Sequence, residues 1–291
     1  MVTCQLRHGA VRSQVIAPAL GAAISRRCSV SAMTDLASLD GTVLPIAEAR
    51  IPVTDEGLLR GDGVFEVMRV YGGRPYALAD HLLRMERSAA NLRLPLEIDA
   101  MRADALALLE AAAPGDALLR LVVTRGGHRL ALLEPLPEHP PGIRLGSVTY
   151  APTRVLDGIK SLSYAGNMLA SRLARERGFD EALLVTPHGR VLEAPTSTFF
   201  WASGGRLLTP PLDEHILASI TRTRLMEVAD VEEAPCTRDD LADADEAFLA
   251  STVREVQPVT VIDDREFPGA RPLTLAAAQA FRERVEAELA V

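Results

Sequence analysis

Residues 61–84 read GDGVFEVMRVYGGRPYALADHLLR, and this stretch decides the fold. Val64 to Tyr71 is rich in β-branched and aromatic residues and predicts a strand. Gly72-Gly73 supplies a tight turn, and Arg74 to Leu78 forms its hairpin partner. From Asp80 to Leu92 the apolar residues Leu82, Leu83, Met85, Ala89 and Leu92 recur at helical spacing, with Ala79-Asp80 as the cap. A hairpin that runs directly into an amphipathic helix opens a small α+β unit.

Working outward, Ile98 to Ala113 predicts a second helix, ended by Pro114-Gly115. Ala117 to Thr124 and Ile143 to Tyr150 predict two more strands, and Ala151 to Gly158 a linker. A second unit begins near Lys160. Its helix Asn167 to Arg177 is closed by Gly178. Strands follow at Ala182–Thr186, Val191–Glu193 and Thr198–Ala202, around turns at His188-Gly189 and Gly204-Gly205. Helices at Thr221–Ala229 and Leu273–Leu289 flank short strands at Phe248–Ala250 and Val259–Ile262. The expected division is a small domain over 34–152 and a larger one over 153–291.

The first 33 residues carry Arg7, Arg12, Arg26 and Arg27, with no acid before Asp35. That pattern fits either a start codon read too early, with Met33 the true start, or an organellar transit peptide. Either way the segment is expected to lie outside the folded core. The whole chain, with 48% hydrophobic and 24% charged residues, has the composition of an ordinary globular protein. A net charge of -8 and no arginine cluster argue against a nucleic-acid surface. No apolar run is long enough to cross a bilayer. Cys4, Cys28 and Cys236 show no metal-ligand spacing, and Cys236 reads as a structural thiol in a reducing compartment.

Lys160 is the one lysine among 31 basic residues; the other thirty are arginine. Arginine replaces lysine in surface ion pairs but not as a nucleophile, because its guanidinium stays protonated. A lysine amine can be desolvated to a usable pKa, and the chemistry that most needs one is Schiff-base formation with a carbonyl. The count thus marks Lys160 as a candidate catalytic residue.

Taken in order, GDGVFE at 61–66, His81-x-x-Arg84, Ile159-Lys160, Glu193, Ile220-Thr221-Arg222, and Ser251-Thr252 with Pro258-Val259 resemble the class IV aminotransferases. That family has fold type IV among pyridoxal 5'-phosphate (PLP) enzymes and includes branched-chain and D-amino-acid aminotransferases, (R)-amine transaminases and 4-amino-4-deoxychorismate lyase. The resemblance implies a two-domain α+β fold with PLP in the cleft between domains. It implies transfer of an amino group from an amino acid to a 2-oxo acid, in a cytoplasmic homodimer whose pockets draw on both subunits.

Carried over residue by residue, the resemblance makes Lys160 the Schiff-base lysine and proton shuttle. Glu193 becomes the partner of the pyridine nitrogen. Arg84, the backbone of Ile220 and Thr221, and Thr252 become the phosphate site. Tyr164 is expected at the cofactor's phenolic oxygen, and Phe65 with Glu66 along the substrate pocket. Three departures stand out. Thr198 replaces the usual Asn after Ser197, and Ser219 replaces the glycine before Ile220, which is expected to constrain that loop. The run Thr124-Arg125-Gly126-Gly127-His128-Arg129 holds the residue types of the D-enzymes' R-x-H carboxylate trap but not its order, so Arg125 or Arg129 is left as the candidate carboxylate ligand. The nearest rival reading is aminodeoxychorismate lyase, which releases pyruvate and 4-aminobenzoate; a non-catalytic binding protein on the same fold is the third.

Overall fold

A computed structural model describes residues 35–267 and 269–290. The readings made for residues 1–33, including the cleaved or untranslated extension, lie outside the described residues. The hairpin and helix that open the fold are present, embedded in a larger sheet. This sheet has six strands: β1 (Leu36–Leu39), β2 (Thr42–Pro45), β3 (Gly63–Tyr71), β4 (Arg74–Pro75), β5 (Ala117–Thr124) and β6 (Arg129–Glu134), in spatial order β2-β1-β6-β5-β3-β4. The helices α1 (Glu56–Arg60), α2 (Leu78–Asn91) and α3 (Ile98–Ala112) accompany it.

The sheet has two unlike faces because side chains alternate along a strand. On β3, Val64, Met68 and Val70 point into a core with Leu82 and Met85 of α2 and Met101 and Leu108 of α3. On β5, Ala117, Leu119, Leu121 and Val123 join the same core. Each fully buried Leu or Met there contributes roughly 1.5–3 kcal/mol. Phe65, Val67, Leu118 and Arg120 point to the opposite face, which is left to line a cavity.

The second sheet is built from β7 (Ile143–Thr149), β8 (Glu181–Val185), β9 (Arg190–Val191), β10 (Thr198–Ser203), β11 (Arg206–Thr209), β12 (Val231–Glu233), β13 (Cys236–Thr237), β14 (Glu246–Ser251), β15 (Glu255–Ile262) and β16 (Arg265–Glu266). Its order is β12-β11-β10-β14-β15-β7-β8-β9-β13, with β16 paired to β15. Helix α4 (Ala165–Glu176) packs on β7 and β8. Helices α5 (Ile220–Val228) and α6 (Pro272–Leu289) cover the face carrying Phe200 and Phe248, whose rings stack with centroids 4.7 Å apart beneath Leu225 and Phe281. Cys236 is a free, buried thiol, and burial pushes its pKa up.

Several expectations need correction. Ile143–Tyr150 was assigned to the small unit, yet β7 runs parallel to β8 and β15 inside the second sheet. The sheets therefore divide between Glu134 and Ile143. Parallel partners so distant in sequence leave no local signal in the strand itself. The hairpin partner is only Arg74–Pro75, because α2 already begins at Leu78. Its N-cap is Ala77, in the left-handed region at φ 52° and without a side-chain cap bond; Asp80 lies in the first turn, where its carboxylate pairs with Arg224 of α5 at 2.5 Å. Strands β1, β2 and β6 were not anticipated, since short segments such as LASL lack a distinctive pattern.

A backbone crossing is among the contacts that tie the two sheets together. The chain after the 151–158 linker returns to the start of β3 and pairs with it: Phe65 N–H donates to Lys160 O at 3.1 Å, and Leu162 N–H donates to Gly63 O at 2.9 Å. Gly63 is tight there, since an added Cβ would sit 2.4 Å from Val123 O and 2.6 Å from Leu162 Cδ1. A backbone oxygen inside a sheet cannot give way. Gly63→Ala is therefore expected to cost about 1–3 kcal/mol, an overpacking penalty, read as a lower denaturant midpoint. An unchanged midpoint would show that this crossing is looser than described.

Candidate active site

A cavity of about 960 Å³ lies where the two sheets meet. Eight of the residues singled out in the sequence line it: Phe65, Arg84, Lys160, Tyr164, Glu193, Ile220, Thr221 and Thr252. They arrive from separate elements, namely β3, α2, the returning 160–164 segment, the turn after β9, the start of α5 and the loop after β14.

Lys160 is held by its backbone, with its carbonyl paired to Phe65 and its N–H donating to Ser88 Oγ at 3.2 Å. Its Nζ lies 4.3 Å from the Phe65 ring centroid and 5.8 Å from that of Tyr164. The two rings meet edge to face at 5.4 Å. Burial, and then the nearby Arg84 cation, lower the amine to about 8 against the opposing pull of Glu66 and Glu193. Glu193 is shifted the other way: burial raises its carboxyl to about 7, although Leu217 N–H donates to Oε1 at 3.2 Å. Each group is thus moved toward neutrality by the same dry surroundings. Tyr164 OH donates to Pro195 O, and burial with the Glu193 charge beside it pushes the phenol upward.

At the other end of the cavity Ser219 caps α5, its hydroxyl accepting from Arg222 N–H at 3.3 Å. The first N–H groups of a helix have no intrahelical partner, and with the helix dipole they favour an anion. Ser219 adopts φ -75° and ψ 134°, extended backbone open to any residue. The expected constraint from losing glycine here is absent, and the serine instead adds a cap. Arg84 reaches this corner, with Nη1 donating to Ala218 O at 3.1 Å.

Glu66 was expected along the pocket but does not line it. It sits on the core face of β3 with Val64 and Met68, fully buried, and binds Arg84 and His81. Burial alone would raise its carboxyl; the charge and hydrogen bonds of Arg84, with His81, hold it at about 2. The signal was available in the sequence, since a carboxylate at a core-facing position demands a partner.

Arg125 and Arg129 are not brought to the cavity within one protomer. Arg125 forms a bidentate pair with Asp62, both contacts 3.0 Å, and also donates to Leu92 O and Arg93 O. Arg129 pairs with Asp104 at 2.8 Å. Sequence reasoning missed Arg120, which lines the cavity while paired to Glu134 at 2.6 Å, and Arg254, which lines it while paired to the buried Glu181 at 3.2 Å. Among surface-rich arginines neither stands out by spacing. No cluster of metal-ligating side chains occurs among the described residues.

With this geometry in view, known proteins are informative. The model of the class IV amino-transferases matches residues 63–262. The chain belongs to that family. It is 37% identical over 253 residues to a putative branched-chain-amino-acid aminotransferase of Methanocaldococcus jannaschii, covering 78% of this chain and 88% of the relative. It is 29% identical over 280 residues to a D-alanine aminotransferase of Bacillus licheniformis, covering 86% and 97%. Among solved structures, a fold IV transaminase of Curtobacterium pusillum superposes with a TM-score of 0.77 at 31% identity, covering 87% of this chain and 99% of that one. The fold is type IV, and the enzyme is a PLP-dependent class IV aminotransferase.

The residues present fit that cofactor. A lone lysine amine of lowered pKa, a carboxyl shielded from water, an arginine and a helix N-terminus share one cavity. The hydroxyls of Ser197 and Thr198, and Nε2 of His81, line it buried and without a hydrogen-bond partner among the described residues. Because Lys160 is the one lysine, its amine can be titrated directly with an amine-directed acylating reagent in the cofactor-free protein. Modification of the Lys160 peptide, followed by mass spectrometry, is expected to rise through a midpoint of about 8. A midpoint at the ordinary value of 10.5 would contradict the site's electrostatics.

Proposed function

We propose that this class IV aminotransferase takes its amino group from an apolar L-amino acid of the branched-chain type and delivers it to a 2-oxo acid. The observation that carries the reading is the apolar lining that Phe65, Val67, Leu118 and Ile143 give the cavity, with Arg120 among them already paired to Glu134. Two further points support it. Arg125, the candidate carboxylate ligand of a D-specific loop, is spent on Asp62. The Methanocaldococcus jannaschii relative is named a putative branched-chain enzyme.

Bound PLP supplies an electron sink that lets the amino acid's Cα–H ionise. The protein's part is to bind, orient and move protons. Lys160 would hold the cofactor through Nζ and, when freed by substrate, would be the group placed to take up and release a proton. An amine near 8 is suited to this, since it takes and releases a proton close to neutral pH. Glu193 would partner the pyridine nitrogen and favour its protonated form. Arg84, the N–H groups of Ile220 and Thr221, and the Thr252 hydroxyl would hold the phosphate. Tyr164, whose hydroxyl donates to Pro195 O, would serve the phenolic oxygen.

The reading includes a homodimer in which each cavity is completed by the neighbouring subunit. The buried free thiol of Cys236 suits a cytoplasmic, reducing setting.

The test uses the holoenzyme without acceptor, with L-leucine, D-alanine and an (R)-amine in separate cuvettes. L-leucine is expected to convert the bound cofactor to its amine form with release of stoichiometric 2-oxo acid, while D-alanine leaves the spectrum unchanged. Conversion by D-alanine instead would overturn the donor assignment. No conversion by any donor would favour the lyase reading, with aminodeoxychorismate the substrate to try next.

A further inference from the structure

Behind Arg84 lie two buried polar residues, Glu66 and His81, whose contacts with each other and with that arginine the proposed function leaves unused. Glu66 Oε1 accepts from Arg84 Nε at 2.7 Å, and Oε2 accepts from Arg84 Nη2 at 2.6 Å. His81 Nδ1 approaches the same Oε2 at 2.7 Å. Glu66 and His81 are almost fully buried, at 0% and 1% exposure, and 14% of the Arg84 side chain is exposed. An ionised carboxylate only accepts, so Nδ1 must carry the proton and donate. Burial lowers the pKa of His81, so it donates as a neutral imidazole and adds no charge.

We infer that Glu66 and His81 are positioning residues that fix Arg84 as a rigid fork for the cofactor's phosphate, and that this fixation makes the cavity select a phosphorylated cofactor. The inference rests on the reading of Arg84 as a phosphate ligand. A free arginine on a helix samples many rotamers, and its planar donors then meet an anion in the required geometry only part of the time. Here two of its nitrogens are taken by one carboxylate, so the guanidinium plane is set by β3. Nη1 is left at Ala218, one residue before the cap of α5. The carboxylate also neutralises the guanidinium. What Arg84 offers an anion is therefore aimed N–H donation beside the α5 N-terminus, more than net positive charge. His81 keeps the carboxylate from turning, since its Nδ1–H occupies the oxygen shared with Nη2. The Asp80–Arg224 pair at 2.5 Å, one residue before His81, ties α2 to α5 and keeps the fork and the helix start in register.

The experiment compares dissociation constants for PLP and for pyridoxal, which lacks the phosphate, in the full-length protein by visible absorbance titration. Glu66→Gln is expected to weaken PLP about tenfold, the scale of one charge-assisted bond, and to leave pyridoxal unchanged. On an Arg84→Ala background the same substitution is expected to add little, because the two act as one unit. His81→Leu, a milder change should Glu66→Gln fail to fold, is expected to lower the PLP-to-pyridoxal preference about threefold. Equal weakening of both ligands, or of neither, in either variant would overturn the positioning role. An Arg84→Ala protein that keeps its full preference for PLP would instead overturn the phosphate reading beneath it.

Discussion

The antiparallel crossing of Gly63–Phe65 with Lys160–Leu162 is the contact on which the site depends. Two backbone hydrogen bonds attach the returning chain to β3 of the smaller sheet. They do so at Lys160, the residue proposed to carry the chemistry. The alternation of β3 then does the rest. Residues facing one way bury against α2 and α3, while Phe65, facing the other, packs beside the Lys160 amine. A reactive amine on a long flexible stem becomes a fixed group because its backbone is part of a sheet.

Two carboxylates in this region carry opposite loads. Glu66 is fully buried yet held at about 2, because three donor atoms surround it. Glu193 receives one backbone donor and is raised to about 7. Burial is the largest influence on both, and the difference lies in what compensates it. The first arrangement suits a fixed structural anion that aims an arginine. The second suits a group whose charge responds to what enters the cavity. The same separation of environments lets one fold keep a permanent anion and a titrating one.

Much of this was legible in the sequence, and the failures have physical causes. Strand β3, helix α2 and the cavity positions of Lys160, Glu193 and Ile220-Thr221 followed from local pattern and from motif order. Ile143–Tyr150 was recognised as a strand but placed in the wrong sheet, because its parallel partners β8 and β15 begin at Glu181 and Glu255, far along the chain. Arg125 drew notice by its loop, yet Asp62, a residue of the opening GDG run, holds it away from the cavity. Arg84 stood out by its His81-x-x-Arg84 spacing, but arginines are so frequent that no spacing separates Arg120, Arg175 and Arg254, which also line the cavity, from those on the surface. Glu66 was the more accessible miss. Its place between Val64 and Met68 on an alternating strand already marked it as a buried charge in need of partners.

The central claim is that Lys160 is the residue to which PLP attaches. It is tested most directly by reducing the PLP-loaded protein with borohydride and mapping the fixed cofactor by peptide mass spectrometry. One equivalent on the peptide containing Lys160 is the predicted result. A protein that binds PLP but yields an unmodified Lys160 peptide after reduction would contradict it.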